Sequence, residues 1–264
     1  MGLTRNKDSM FDDLKALHVV HEGPVLKVRL NSPETGNAIS GLLLDELLAV
    51  FGELDEHPDI RVLILSAAGD DFCLGADRRE FPDLLAEYPN GAGLRAAGNK
   101  ARRMCDLMAT TGVVTIARLH GSVVGAGLGL AVLCDLRVGA DNCRFRLPEL
   151  GLGIPPAWGG IMPRMFHETG AARIRELILT ADNFDAEKAA ELTILHKAVP
   201  EDELDKTVAR WTKPLLRRSP SALRTAKAML NAYAGSHRLA DGTLFDTEIL
   251  TSAVATAEAA AAAR

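Results

Sequence analysis

Apolar positions follow two rhythms over the first 150 residues of the chain. LHVV and VLKVRL alternate on either side of Glu22-Gly23-Pro24 and predict a hairpin that opens a sheet. After the loop NSPETGN, Ser40 caps a helix expected to run to about His57. Its inner face is Leu43, Leu47, Phe51 and Leu54, and Pro58 helps to stop it. Val62 to Ser66 reads as a short buried strand, followed by the glycine-bearing loop AAGDDFCLGADRRE. A helix is predicted from about Gly93 to Thr111, with Leu94, Ala97, Ala101, Met104 and Met108 inward. Val113 to Leu119 is a β-branched buried strand. Glycines then fall at 121, 125, 127 and 129, and Leu128 to Leu133 read as a buried helix. A strand Leu136 to Ala140, a short one near Cys143 to Leu147 and the irregular PELGLGIPPAWGG close this half.

From about Ala171 the rhythm is mostly helical. ARIRELILT and DAEKAAEL are helices, ILHKAVP is strand-like, and helices follow over Glu201 to Leu216, Ser221 to Tyr233 and from Gly242 onward. The alternation of strands and helices predicts an α/β core over 16–200. A loose N-terminus is expected over 1–15 and a helical C-terminal region over 201–264, whose alanine-rich end has little to bury and is expected to fray or to reach a neighbour.

Length and charge narrow the function. At 264 residues, 47% of them hydrophobic, the chain suits one large domain or one domain plus a small appendage. A net charge of −5 and the absence of a long basic run argue against a nucleic-acid partner. No apolar run is long enough to span a membrane and no signal peptide is evident. Cys73, Cys105, Cys134 and Cys143 form no CxxC pair and are expected to be reduced thiols in the cytoplasm. His18 and His21 lie on a strand pattern and make no helical pair, so no metal site is expected.

The chemistry concentrates in three places. CLGAD at 73–77 and VGAGLG at 124–129 each follow a strand, and parallel neighbouring strands would bring both turns to one sheet edge. The N–H groups of Ala76 and Ala126 are then candidates to hold one oxygen as it gains charge. Each turn also reads as a glycine-eased packing contact. Glu149 stands beside Pro148 with Leu147, Leu150 and Leu152 around it. A carboxylate in such company is suited to moving protons near neutral pH, and a solvated loop glutamate is the other reading. Arg78 and Arg79 offer charge to a phosphate, or to solvent. His120 is read as a structural histidine before substrate contact. The G-x-G-x-x-G spacing of a dinucleotide site fails, because Leu130 or Val132 takes the third position, and there is no G-x-S-x-G elbow.

FCLGAD at 72–77, HGSVVGAGLGLAVLCDLRVGA at 120–140 and PELGLGIPPAWGG at 148–160, with LNSPETGNAIS earlier, resemble the enoyl-CoA hydratase/isomerase (crotonase) family in order and spacing. The resemblance covers about Val25 to Leu230 and implies a crotonase-like ββα spiral core with a helical C-terminal trimerisation region. It also implies a homotrimer or dimer of trimers acting on acyl-CoA thioesters, with no cofactor beyond the coenzyme A of the substrate. Ala76 and Ala126 would form the oxyanion hole, with Glu149 as acid and base. Leu74 would lie where the backbone meets the adenine. Asp77, Arg78, Gly125, Trp158 and Lys227 are the other expected substrate contacts. Family hydratases carry two glutamates, and the second falls at Gly129 here. A single later glutamate resembles the Δ3,Δ2-enoyl-CoA isomerases, so isomerisation is favoured. Hydration by an altered site and a weakly catalytic acyl-CoA-binding protein remain alternatives.

Overall fold

The expected hairpin is β1 (Leu17–Glu22) paired antiparallel with β2 (Val25–Leu30), from Leu17 opposite Leu30 to Glu22 opposite Val25. The computed structural model describes residues 11, 13–87, 91–157, 161–235 and 246–262. The loose segment expected over 1–15 therefore lies mostly outside the described residues. Its last part is tied down: buried Glu46 accepts the N–H groups of Lys15, Ala16 and Leu17 at 2.8–2.9 Å.

Glu46 sits on α1 (Gly41–Glu53), where Ser40 Oγ accepts from Leu43 N–H and Leu43, Leu47 and Phe51 are buried. The last turn tightens to a 3-10 helix over Leu54–Glu56, which accounts for the remaining expected length. Then come β3 (Val62–Ala67), α2 (Phe81–Glu87), α3 (Ala92–Thr110), β4 (Val114–Leu119), β5 (Ser122–Val124) and α4 (Ala126–Leu133). Next are β6 (Leu136–Ala140), β7 (Arg144–Arg146), α5 (Ile161–Thr169), α6 (Ala171–Thr180), β8 (Phe184–Asp185) and α7 (Ala186–Glu191). The described chain ends with β9 (Lys197–Val199), α8 (Leu204–Leu215), α9 (Pro220–Gly235) and α10 (Asp246–Ala262).

One sheet runs β1-β2-β3-β4-β6-β9, and every pairing from β2 onward is parallel. A second sheet is β5-β7-β8. Parallel pairing puts the C-terminal ends of β2, β3, β4 and β6 on one edge, and the turns that follow them meet there.

Three elements depart from the sequence reading. No helix is expected over 81–87 or 161–169, yet these segments hold α2 and α5. Pro82 and Pro163 mark both as breaks, yet each lies in a first helical turn, where a missing N–H costs no hydrogen bond. β5 is only three residues long, too short to show a period.

Leu204 and Val208 of α8 are buried in the main core. A smaller cluster joins Leu94, Ile154 and Ala157 to Leu250 and Val254 of α10, which Arg95 and Glu248 also tie to α3 at 2.9 Å. Among the described residues no helix is long and apolar enough to cross a membrane.

Candidate active site

The first turn is shaped by an isolated parallel bridge between Ile39 and Ala76. Ile39 N–H donates to Gly75 O at 2.8 Å and Asp77 N–H donates to Ile39 O at 3.0 Å. In such a bridge the intervening residue turns its own amide to the opposite side, so Ala76 N–H faces away from Ile39. Gly75 makes the bend at φ +96°, where a side chain would be strained. Asn37, itself at φ +53° and buried, braces the loop from below. Its side chain accepts from Ser32 N–H and donates to Ala68 O and Asp71 O at 2.8–2.9 Å.

The second turn lies alongside. Cys73 N–H donates to Ser122 O at 3.2 Å and Val124 N–H to Cys73 O at 2.9 Å. A Cβ added at Gly75 would stand 3.1 Å from Val124 O and 3.7 Å from Ala126 N, so the two alanine amides are neighbours in space. Gly125 bends the chain at φ +52° into α4, making Ala126 the first residue of the helix. Among the described residues neither Ala76 N–H nor Ala126 N–H meets a backbone acceptor. The open start of α4 also carries the positive end of the helix dipole.

Glu149 completes the group. It opens a 3-10 turn over Glu149–Leu152, closed by Gly153, and is 2% exposed. A Cβ at Gly125 would stand 2.8 Å from Glu149 Oε1, which places the carboxylate directly against the residue preceding Ala126. At Gly129, one helical turn further on, the space of a side chain is filled by Ile161 of α5. No second carboxylate fits there without displacing Ile161.

A cavity of ≈ 320 Å³ opens beside Ala76. Leu44 of α1, Phe81 and Leu84 of α2, Gly93 and Ala97 of α3, and Leu250 of α10 are among its walls. Its surface is mainly apolar, with Asp77, Glu80 and Lys100 also among its lining, so it suits a hydrocarbon chain; it touches Ala76, whereas Ala126 and Glu149 do not line it. Lys100 is paired with Asp45 at 2.7 Å, and Glu80 accepts from Gly41 N–H.

The remaining expected residues divide. Leu74 is exposed and lies over Gly36, next to the first turn. The Asp77 carboxylate is engaged by Arg79 at 2.7–2.8 Å, and that hydrogen bond holds it below the usual carboxylate range. Arg78 is exposed beside it. Trp158 lies outside the described residues. Lys227 is not brought to this group. It is buried at the opposite, N-terminal end of the parallel strands, where its ammonium donates to Val113 O and pairs with Asp135, both at 2.7 Å. The sequence shows no sign of that pairing, because Asp135 is 92 positions away. His120 is buried and its Nε2 bonds Gly69 O at 2.8 Å, a structural brace.

Two supports escaped the sequence reading. One is the Asn37 clip; the stretch LNSPETGNAIS marks the residue without giving it a role. The other is Arg137 of β6, which is 2% exposed yet uses its guanidinium on backbone carbonyls and Glu168. Its signal is an arginine inside a strand, LRVGA, whose other residues all read as buried.

The chain is similar to known proteins over most of its length. The family described as enoyl-CoA hydratase/isomerase matches residues 21–262. A probable enoyl-CoA hydratase, echA8, of Mycobacterium tuberculosis is 32% identical over 230 residues, covering 87% of this chain and 86% of the relative. A short-chain-enoyl-CoA hydratase of Clostridium acetobutylicum is 32% identical over 211 residues, 80% of this chain and 78% of the relative. Among solved structures, AtuE of Pseudomonas aeruginosa superposes with a TM-score of 0.79 at 29% identity, covering 94% of this chain and 92% of that one.

Proposed function

Because the chain belongs to the enoyl-CoA hydratase/isomerase family, we propose that it moves the double bond of a 3-enoyl-CoA into conjugation, as a Δ3,Δ2-enoyl-CoA isomerase. Coenzyme A enters only as part of the substrate, and no further cofactor is needed. The thioester oxygen lies between Ala76 N–H and Ala126 N–H. Glu149 takes the proton from C2, and the electron pair spreads over C2 to C4 and the oxygen as a dienolate. The two amides stabilise the negative oxygen. The same carboxyl group then returns the proton to C4, leaving the double bond between C2 and C3. Nothing is gained or lost overall.

The observation that carries this reading is Ile161 lodged where a side chain at Gly129 would stand. Hydration needs water to be held and activated on that side, and an isoleucine methyl offers no hydrogen bond. The names of the relatives favour hydration, so the deciding experiment pairs the two. Crotonyl-CoA and 3-hexenoyl-CoA are supplied separately and the products identified. Formation of 2-hexenoyl-CoA with little 3-hydroxybutyryl-CoA supports isomerisation. The reverse outcome makes the chain a hydratase with an altered site. Tight binding without turnover of either makes it an acyl-CoA-binding protein.

In the same reading Leu74 meets the adenine, and Asp77 and Arg78 border the path of the coenzyme's phosphates. Gly125 flanks the acyl group. We also place the chain in the cytoplasm, where four buried free thiols persist, and as a homotrimer or dimer of trimers. The exposed Met229, Leu230 and Tyr233 of α9 support assembly, which sedimentation tests.

A further inference from the structure

α4 is eight residues long, so Ala126 and the far end of the helix are about 12 Å apart. Every residue of the helix is buried and none has a polar side chain. Apolar packing resists separation but is non-directional. The position of this helix along its own axis therefore depends on polar attachments at its ends. At the N-terminal end Gly125 N–H donates to Arg146 O at 2.9 Å.

The other end is held far more heavily. Arg137 Nη1 donates to Val132 O at 3.3 Å and Cys134 O at 2.9 Å. Arg164 of α5 donates to Leu133 O at 2.9 Å and Cys134 O at 3.2 Å. Three successive carbonyls thus meet two guanidinium groups. Glu168 bridges the pair, with Oε1 on Arg164 at 2.7 Å and Oε2 on Arg137. Arg137 further donates to Thr193 O and Ile194 O, and Thr193 Oγ1 donates to Glu168 O. The cluster carries one net positive charge at a helix C-terminus, where the dipole favours it. Arg164 also fixes α5, whose first residue, Ile161, lies against Gly129.

We propose that Arg137 and Arg164, joined through Glu168, are positioning residues for the reaction: by gripping the last carbonyls of α4 they set where Ala126 N–H stands and how strongly it polarises the thioester oxygen. The proposal rests on the role given above to Ala126.

The test uses cinnamoyl-CoA as a bound probe, with the carbonyl stretch read by difference vibrational spectroscopy, and turnover of 3-hexenoyl-CoA. Arg164→Gln is expected to keep KM within about twofold, lower kcat by roughly 10–100-fold through misplacement, and shrink the carbonyl shift seen in the wild type. Arg164→Lys recovers only part of both, because an ammonium cannot reproduce the planar fork. Arg137→Lys repeats the pattern; if it fails to fold, the partly exposed Arg164 series decides. A lower melting temperature with unchanged kcat and unchanged carbonyl shift overturns the proposal and leaves the isomerase reading intact. Absence of any carbonyl shift in the wild type overturns both.

Discussion

Ala76 reaches the site on paired backbone. Ile39 bonds the residues on either side of it, Leu74 N–H donates to Gly36 O at 3.0 Å, and Asn37 clips the supporting loops together. Ala126 reaches the same place as the first residue of a helix, past a turn at φ +52°, with its strongest polar hold about 12 Å behind it. One amide is fixed by hydrogen bonds on both of its flanks; the other has local bonds only before it, at Val124 and Gly125, and beyond them is held by shape and by groups at the far end of α4. Damage to the first turn should therefore appear mainly as lost stability, and damage to the second mainly as lost geometry.

The strongest test of that contrast is at Glu149, which stands against the second turn. Glu149→Gln keeps the shape and removes the base, so turnover should fall roughly 10²–10⁴-fold while affinity for the thioester survives. Wild-type turnover of a 3-enoyl-CoA by this variant would remove Glu149 from the mechanism. Gly125→Ala comes next. Its Cβ would stand 2.8 Å from Glu149 Oε1 at a left-handed φ, and displacing the carboxylate should cost about 100-fold in kcat. Retention of wild-type kcat would mean that the second turn tolerates displacement.

Asn37→Ala probes the first turn. It leaves Ser32 N–H, Ala68 O and Asp71 O without their partner, a loss of about 2–3 kcal/mol in stability seen by denaturant unfolding. Turnover by the folded fraction should fall much less than in Gly125→Ala. If turnover collapses and stability holds, the contrast is reversed.

The smallest effect concerns the far end of α4. His196 Nδ1 accepts from Arg137 N–H at 3.1 Å, and burial, with the Arg137 charge, pushes the ring below its ordinary value of 6.5. The unfolded chain therefore binds this proton at a higher pH than the folded one. The contribution of His196 to stability is complete above about 6.5 and declines as the pH falls below that. His196→Gln should flatten the dependence of melting temperature on pH between about 7 and 5; an unchanged slope rules this contribution out.

Much of this was legible in the sequence because the relevant signals are local. Short apolar runs specified β3, β4 and β6, and the two glycine turns announced themselves by following strands. The glutamate after β7 stood out among leucines. What stayed hidden depends on contacts between distant positions. Lys227 offered a free charge on paper and is buried against Asp135. Arg137, Arg164 and Glu168 are ordinary charged residues until the fold gathers them around three carbonyls. α5 was invisible because its first turn holds Met-Pro-Arg, which reads as a break. Ile161 opposite Gly129 is likewise a fact of packing between two helices, and no periodicity encodes it.

Cys73 has a use that neither turn suggests alone. Its sulfur is buried where the two turns meet, 2.8 Å from the position of a Cβ at Gly127, and burial pushes the thiol up to about 12. It cannot react while the turns are closed, so its rate of alkylation, followed peptide by peptide, is a clock for how often they part. A bound thioester that bridges both turns should slow that clock.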